Sequence, residues 1–272
     1  MLDTISAQAH KLIDLTKRAK KKSSRTKLLT VTSGKGGVGK STFCANSAYL
    51  MAAKGYKVAV LDADIGLANL QVLFDMRPEF TIFDYIEGNK SIEKILLPTK
   101  YENISLIAGK SGYEFSNHSN SFVFTRIVQE IINLDRYDIL IVDTGAGLNN
   151  YVKEFLQISD NILALTSTDP SALTDVYALM KMLSKDKDKL MLCFNHTKSF
   201  EVGSKITQSL VDLAKKNRLN LKFMVKYIGN VSTSANVSTT GRLRKLFANE
   251  FGNDVVTKEL ERVVGTILEN MA

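Results

Sequence analysis

A doubly wound α/β fold, its mostly parallel sheet covered by helices on both faces, is what three features of this 272-residue chain predict. From Leu28 onward, short runs of β-branched and other apolar residues alternate with longer amphipathic stretches. The apolar runs are continuous, the pattern of strands buried on both faces rather than on one. The first run leads into a glycine-rich turn, Gly34-Lys35-Gly36-Gly37-Val38-Gly39-Lys40-Ser41, and then into a helical pattern. In an open sheet of this kind ligands sit beyond the carboxyl ends of the strands.

The elements follow in order. The run 28–32 is the first strand and 41–54 the helix opened by the glycine turn. Strand 58–61 ends at a pair of carboxylates, Asp62 and Asp64, and 104–107 is a further short apolar strand. Helical spacing over 121–133 precedes strand 139–142, which ends at Asp143. The pairs 151–158 with 162–165, 171–184 with 190–194, and 203–216 with 223–228 repeat the alternation of helix and strand, and a helix is expected at 243–251. Last, Val256, Leu260, Val263, Val264, Ile267, Leu268 and Met271 recur at helical spacing and form one apolar stripe. Glu259, Glu261 and Glu269 accompany Lys258 and Arg262 on that segment, a poor match for an anionic bilayer, so the stripe is expected to pack on the core or a partner.

Composition narrows the classes. With 44% hydrophobic residues, three prolines and sixteen glycines, the chain builds one sizeable core. No apolar run reaches the ~20 residues of a membrane span, and the start lacks a secretory pattern, so residence in the cytoplasm is expected. Cys44 and Cys193 lie in apolar runs without metal-ligand spacing and are expected to be buried and reduced. The formal charge is +8, yet residues 1–27 alone hold eight Lys or Arg against Asp3 and Asp14. The division expected is therefore a basic arm over 1–27 and one nucleotide-binding domain over 28–272. A nearly neutral body argues against a general nucleic-acid face. The arm suits anionic lipid, nucleic acid or an acidic partner, or is a solvated linker.

The glycine turn carries the chemistry. Glycines let successive N–H groups point inward at phosphate oxygens, and the following helix adds its positive end. Gly34, Lys35, Gly36, Gly37, Val38, Gly39, Lys40, Ser41 and Thr42 form the expected triphosphate cradle, with Lys40 toward the β- and γ-phosphates and the Ser41 hydroxyl toward Mg²⁺. Lys35 is an addition to the ordinary pattern. Two lysines cannot serve the same side of one triphosphate, so Lys35 is expected to reach a second nucleotide across a dimer. Asp62, Asp64 and Asp143 at strand ends beside the loop suit a magnesium site, and Thr144-Gly145-Ala146-Gly147 reads as a flexible loop sensing the γ-phosphate.

Together these residues resemble the ATPases with a deviant Walker A motif, whose branches include MinD, ParA and the flagellar regulator FlhG. The resemblance implies a doubly wound P-loop fold and slow, magnesium-dependent hydrolysis of ATP to ADP. It implies that Lys35 crosses an ATP-sandwiched homodimer, that Asp64 orients the attacking water, that Asp62 lies near magnesium-bound waters and that Asp143 is the Walker B acid. Asn195 matches the family's adenine-reading asparagine, with His196 where an arginine is usual. Asp143 to Gly147, the segment Thr168-Asp169-Pro170, and Gln8-Ala9-His10-Lys11-Leu12 in the arm are most similar to FlhG. By that likeness Gln8, Ala9 and Leu12 would bind and stimulate an FlhF-type GTPase, flagellar switch components would be further partners, and the process would be control of flagellar number and placement at the membrane or pole. Competing readings are MinD-like positioning on a membrane and ParA-like positioning on nonspecific DNA. The chain departs from the family at Gly229-Asn230-Val231-Ser232-Thr233, where relatives carry proline near the base, and in its acidic last helix. A redox iron-protein role is set aside, because neither cysteine occupies a position that would bridge a cluster.

Overall fold

The computed structural model describes residues 25–64, 68–110, 122–197, 199–220 and 222–271. Strands β1 (Lys27–Ser33), β2 (Val58–Ala63), β4 (Ile104–Ile107), β5 (Ile139–Ala146), β6 (Asn161–Thr166), β7 (Lys189–Asn195) and β8 (Met224–Val231) match the seven apolar runs. An unexpected two-residue strand, β3 (Leu97–Pro98), adds an antiparallel edge. The eight strands form one sheet in the order β3-β4-β2-β5-β1-β6-β7-β8, with every other pairing parallel. β1 thus sits between β5 and β6, where the chain stops building toward one edge and starts toward the other. That crossing point is where an open α/β sheet leaves a crevice for a ligand.

Eleven helices are seen among the described residues. They are α1 (Lys40–Ala53), α2 (Leu70–Leu73), α3 (Ile82–Ile86), α4 (Ile92–Ile95), α5 (Val123–Asn133), α6 (Asn150–Ile158), α7 (Pro170–Leu183), α8 (Phe200–Lys216), α9 (Ala235–Arg242), α10 (Phe247–Glu250) and α11 (Val255–Asn270). Neighbouring residues on a strand serve opposite faces. Leu29, Val31, Val60, Ile141, Leu163 and Met191 pack with α1, α10 and α11. Leu28, Leu61, Leu140 and Val142 pack with α3, α4 and α5, while Ile162, Leu190, Leu192 and Phe194 pack with α6, α7 and α8. Both faces of the inner strands are buried, which is why those strands read as unbroken apolar runs.

Several boundaries differ from expectation. Lys27, counted with the arm, is the first residue of β1. Gln8, Ala9 and Leu12 lie outside the described residues. α8 starts earlier than expected because the Ser199 side chain accepts a hydrogen bond from the Val202 N–H at 3.4 Å and caps the helix. Thr144 to Ala146, expected as a loop, belong to β5: the Thr144 hydroxyl donates to the Val31 carbonyl at 3.1 Å, and the Gly147 N–H to the Ser33 carbonyl at 2.9 Å. The helix expected at 243–251 is only the single turn α10, preceded by a break after α9, a helix that was not expected. Arg244 at the break has φ 54°, a left-handed conformation that ends a helix. The apolar stripe at the end of the chain does pack on the core, with Val256, Leu260, Val263, Val264 and Ile267 buried on the α1 face of the sheet.

Candidate functional site

The turn between β1 and α1 is shaped by its glycines. Gly37 and Gly39 have φ of 76° and 87°, where a side chain is strained. At Gly34 a Cβ would lie 2.0 Å from Cβ of Asp175 on α7, so the loop passes α7 with room for hydrogen alone. α1 then begins with no side chain capping its N-terminus and no acidic residue in its first turn. Its first N–H groups and positive dipole end are left facing the crevice, the arrangement that binds phosphate.

Around this helix end the structure gathers Lys40, Ser41, Asp62, Asp64 and Asp143. β2 and β5 pair in parallel with Asp62 opposite Asp143, so the two carboxylates are neighbours by register. Both are buried, and Lys40 is only 8% exposed. Asp62 accepts hydrogen bonds from the Leu70 N–H at 3.0 Å and the Asp64 N–H at 3.3 Å, which fix the chain leaving β2. Asp143 differs. Its carboxylate lies beside Lys40, Ser41 and Cys44, yet neither oxygen has a partner in hydrogen-bond geometry among the described residues. Burial raises the pKa of both groups, with the neighbouring Asp143 charge adding to the rise at Asp62 and the Lys40 ammonium opposing it at Asp143. Asp64 approaches from the loop after β2, its Oδ1 3.3 Å from where a Cβ on Gly145 would stand. Cys44 and Cys193 are both buried thiols.

A buried carboxylate with two idle oxygens is costly unless something charged completes it. A hydroxyl, carboxylates and phosphate oxygens make an all-oxygen donor set, which fits Mg²⁺ within its water shell. The residues present therefore fit a magnesium–triphosphate group at the N-terminus of α1.

Lys35 lies apart from this cluster. Its ammonium donates to the Ser171 hydroxyl at 3.3 Å and stands 3.7 Å from Asp169, on the rim where α7 begins. Asn195, at the end of β7, donates through Nδ2 to the Val38 carbonyl at 2.8 Å, tying that strand to the glycine loop. Next to it opens a cleft of about 190 Å³ with an apolar floor of Phe43, Phe247, Val256 and Leu260 and a rim that includes His196, Ser232, Thr233 and Ser238. Asn195 and the stretch 229–233 were legible in the sequence as lying near a base, but the apolar floor of the cleft was not. Its walls come from α1, from the loop after β8 and from α11, segments far apart in the chain that carry no shared motif.

The sequence pattern of an AAA domain matches residues 26–196. The chain is 36% identical over 247 residues to the flagellum site-determining protein YlxH of Helicobacter pylori, covering 90% of this chain and 83% of that protein. The chain belongs to the MinD/ParA family of P-loop ATPases. It is also 35% identical over 160 residues to the antiactivator FleN of Pseudomonas aeruginosa, a match spanning 58% of this chain and 57% of FleN. The septum site-determining protein MinD of Pyrococcus horikoshii, solved in complex with Mg-ADP, shares the fold with a TM-score of 0.75 at 18% identity, over 90% of this chain and 98% of that one. Within the MinD/ParA family the chain is thus homologous to the YlxH and FleN flagellar regulators. Among the described residues no helix is long and apolar enough to cross a membrane.

Proposed function

We propose that this ATPase is a dimerising switch that governs flagellar number and placement, closed by ATP and opened by its hydrolysis. The observation that carries the reading is the position of Lys35: it sits on an exposed rim with Asp169 and Ser171, while Lys40 alone occupies the buried phosphate site. From the rim Lys35 meets a second molecule rather than its own nucleotide.

Within one protomer the N–H groups at the start of α1 and the Lys40 ammonium bind the β- and γ-phosphates. Ser41 and the ionised Asp143 would hold Mg²⁺ and its waters, with Asp62 in support; the metal would supply charge neutralisation at the phosphates. Asp64 orients the attacking water. Positioning and charge suffice for this reaction, so no strong base is required. Because Nδ2 of Asn195 is committed to Val38, its Oδ1 remains to accept from the amino group of adenine, whereas guanine would offer it a carbonyl. The arm, through Gln8, Ala9 and Leu12, binds and stimulates an FlhF-type GTPase. The similarity to YlxH and FleN supports the flagellar setting.

Molecular mass in solution with ADP and with ATP tests the switch. The expected result is an ATP-dependent dimer, accumulated by Asp64→Ala and lost in Lys35→Ala; a monomer in every state overturns it. Deleting residues 1–25 tests the arm, since unchanged stimulation of the GTPase by the truncated protein would exclude that role.

A further inference from the structure

We infer that Glu259 on α11 and Asp254 at its N-cap are positioning residues that hold the wall of the base cleft, making the last helix among the described residues a determinant of nucleotide affinity. The inference rests on the proposal that Asn195 reads adenine, which puts the base in the adjoining cleft that Asn195 lines.

The loop after β8 forms one wall of the cleft, and its residues 232–234 lie outside both β8 and α9. It is fastened from behind. The Glu259 carboxylate accepts two hydrogen bonds from one residue, the Ser232 N–H at 2.7 Å and the Ser232 hydroxyl at 2.9 Å. Asp254 accepts from the Ser234 hydroxyl at 3.3 Å and from Nδ2 of Asn236 at 2.6 Å, while also capping α11 through the Val256 N–H at 2.9 Å. Ser232 and Ser234 are thereby both turned to α11. Thr233 between them, and Ser238 on α9, also line the cleft. The same helix contributes Val256 and Leu260 to the cleft floor. One rigid element therefore sets both the floor and the wall against which a base would stack.

A carboxylate that captures an N–H and a hydroxyl of one residue fixes that residue's orientation as well as its position. Charge-assisted hydrogen bonds of this kind act on ligand affinity by holding the first contacts in place. Glu259 is the residue to test, because changing Asp254 would also remove the helix cap.

The experiment measures binding of ATP and of inorganic tripolyphosphate, each with Mg²⁺, to the full chain by titration calorimetry, alongside kcat and KM for hydrolysis. In Glu259→Ala, ATP is expected to bind about tenfold more weakly, with the loss appearing in KM more than in kcat, and tripolyphosphate, which has no base, to bind within about twofold of wild type. Glu259→Gln keeps one acceptor for the Ser232 N–H and an amide opposite the hydroxyl, and is expected to recover most of the ATP affinity. Glu261→Gln, on the outer face of the same helix and paired with Lys258, serves as the control. Glu259→Ala binding ATP as tightly as wild type would overturn the inference, as would an equal loss for tripolyphosphate, which would mean general disruption. Wild type binding tripolyphosphate as tightly as ATP would instead show that the cleft is not a base site, and both readings would fall.

Discussion

Asp62 and Asp143 occupy paired positions on β2 and β5, both buried, with Asp143 beside Lys40 and Ser41 at the start of α1, and folding raises the pKa of each. A carboxyl whose pKa is raised on folding favours the folded state while it is neutral, fully below the unfolded value of about 4, and that contribution is lost as the pH climbs and the group must ionise in place. Without nucleotide and magnesium the protein is therefore expected to lose stability between about pH 5 and pH 8 in chelator-containing buffer, followed by calorimetry. Asp143→Asn removes the charge and retains the shape. It should melt a few degrees above wild type at pH 8 without ligand, given roughly 2–4 °C per kcal/mol for a chain near this size, and should lose magnesium-dependent hydrolysis. A variant less stable than wild type at that pH would show that the carboxylate is satisfied in the free protein. Gly34 is constrained differently. Its missing Cβ would meet Cβ of Asp175 at 2.0 Å, a contact that no rotamer change relieves. Gly34→Ala should cost several-fold or more in ATP affinity, and Asp175→Gly in the same chain should recover part of it, as read by titration with a fluorescent ATP analogue.

Elements show where sequence patterns carry information and where they do not. Six strands were legible because each holds a continuous β-branched or aliphatic run buried on both faces, and the edge strand β8, exposed over its first half, through the apolar residues of 223–228. β3 was not, being two residues that include Pro98, short of any periodicity. α2, α3 and α4 are single turns held by tertiary packing of Leu70, Ile82 and Ile95 rather than by an amphipathic pattern. α9 was missed because Ser238, Thr239, Thr240 and Gly241 are weak helix formers. The Thr239 and Thr240 hydroxyls bond back to the carbonyls of Ala235 and Asn236 at 3.0 and 2.8 Å, a pattern that slightly destabilises a helix rather than supporting it. α11 was legible as a helix, but its role as a wall of the cleft was not, since that depends on a bulge in β8. There Cys193 pairs with Gly229 after Leu192 pairs with Tyr227, which leaves Ile228 extra. Gly229 has φ 136°, and a Cβ on it would lie 2.8 Å from Cγ2 of Val263 on α11. Gly229→Ala is expected to destabilise the protein by about 1–3 kcal/mol in denaturant unfolding. In a double-mutant cycle with Val263→Ala the two should couple by about 1 kcal/mol or more, because truncating Val263 relieves the contact but not the backbone strain. Additive effects would mean that strain alone sets the cost.

At the scale of the molecule, the sheet order places every piece of the phosphate site around β1, and that much follows from the strand–loop–helix pattern and the carboxylates at strand ends. The sequence also singled out Lys35, but not the side chains that hold it, because Asp169 and Ser171 enter only when α7 folds beside the loop. That contact bears on how strongly the closed protomer resists the proposed dimer. Lys35 and Asp169 are 48% and 63% exposed in their side chains and 3.7 Å apart. Exposed pairs of this kind contribute about 0–1 kcal/mol and weaken in salt, so the contact is a light restraint and not a lock. If it only parks Lys35, Asp169→Asn should favour the ATP-bound dimer by no more than about fivefold, and less at higher ionic strength, since 1.4 kcal/mol corresponds to a factor of ten. Sedimentation velocity at fixed ATP across a protein dilution series measures this directly. A tenfold or greater loss of dimer in Asp169→Asn would contradict the parking role. It would place Asp169 itself in the interface, with its carboxylate meeting the partner rather than its own lysine.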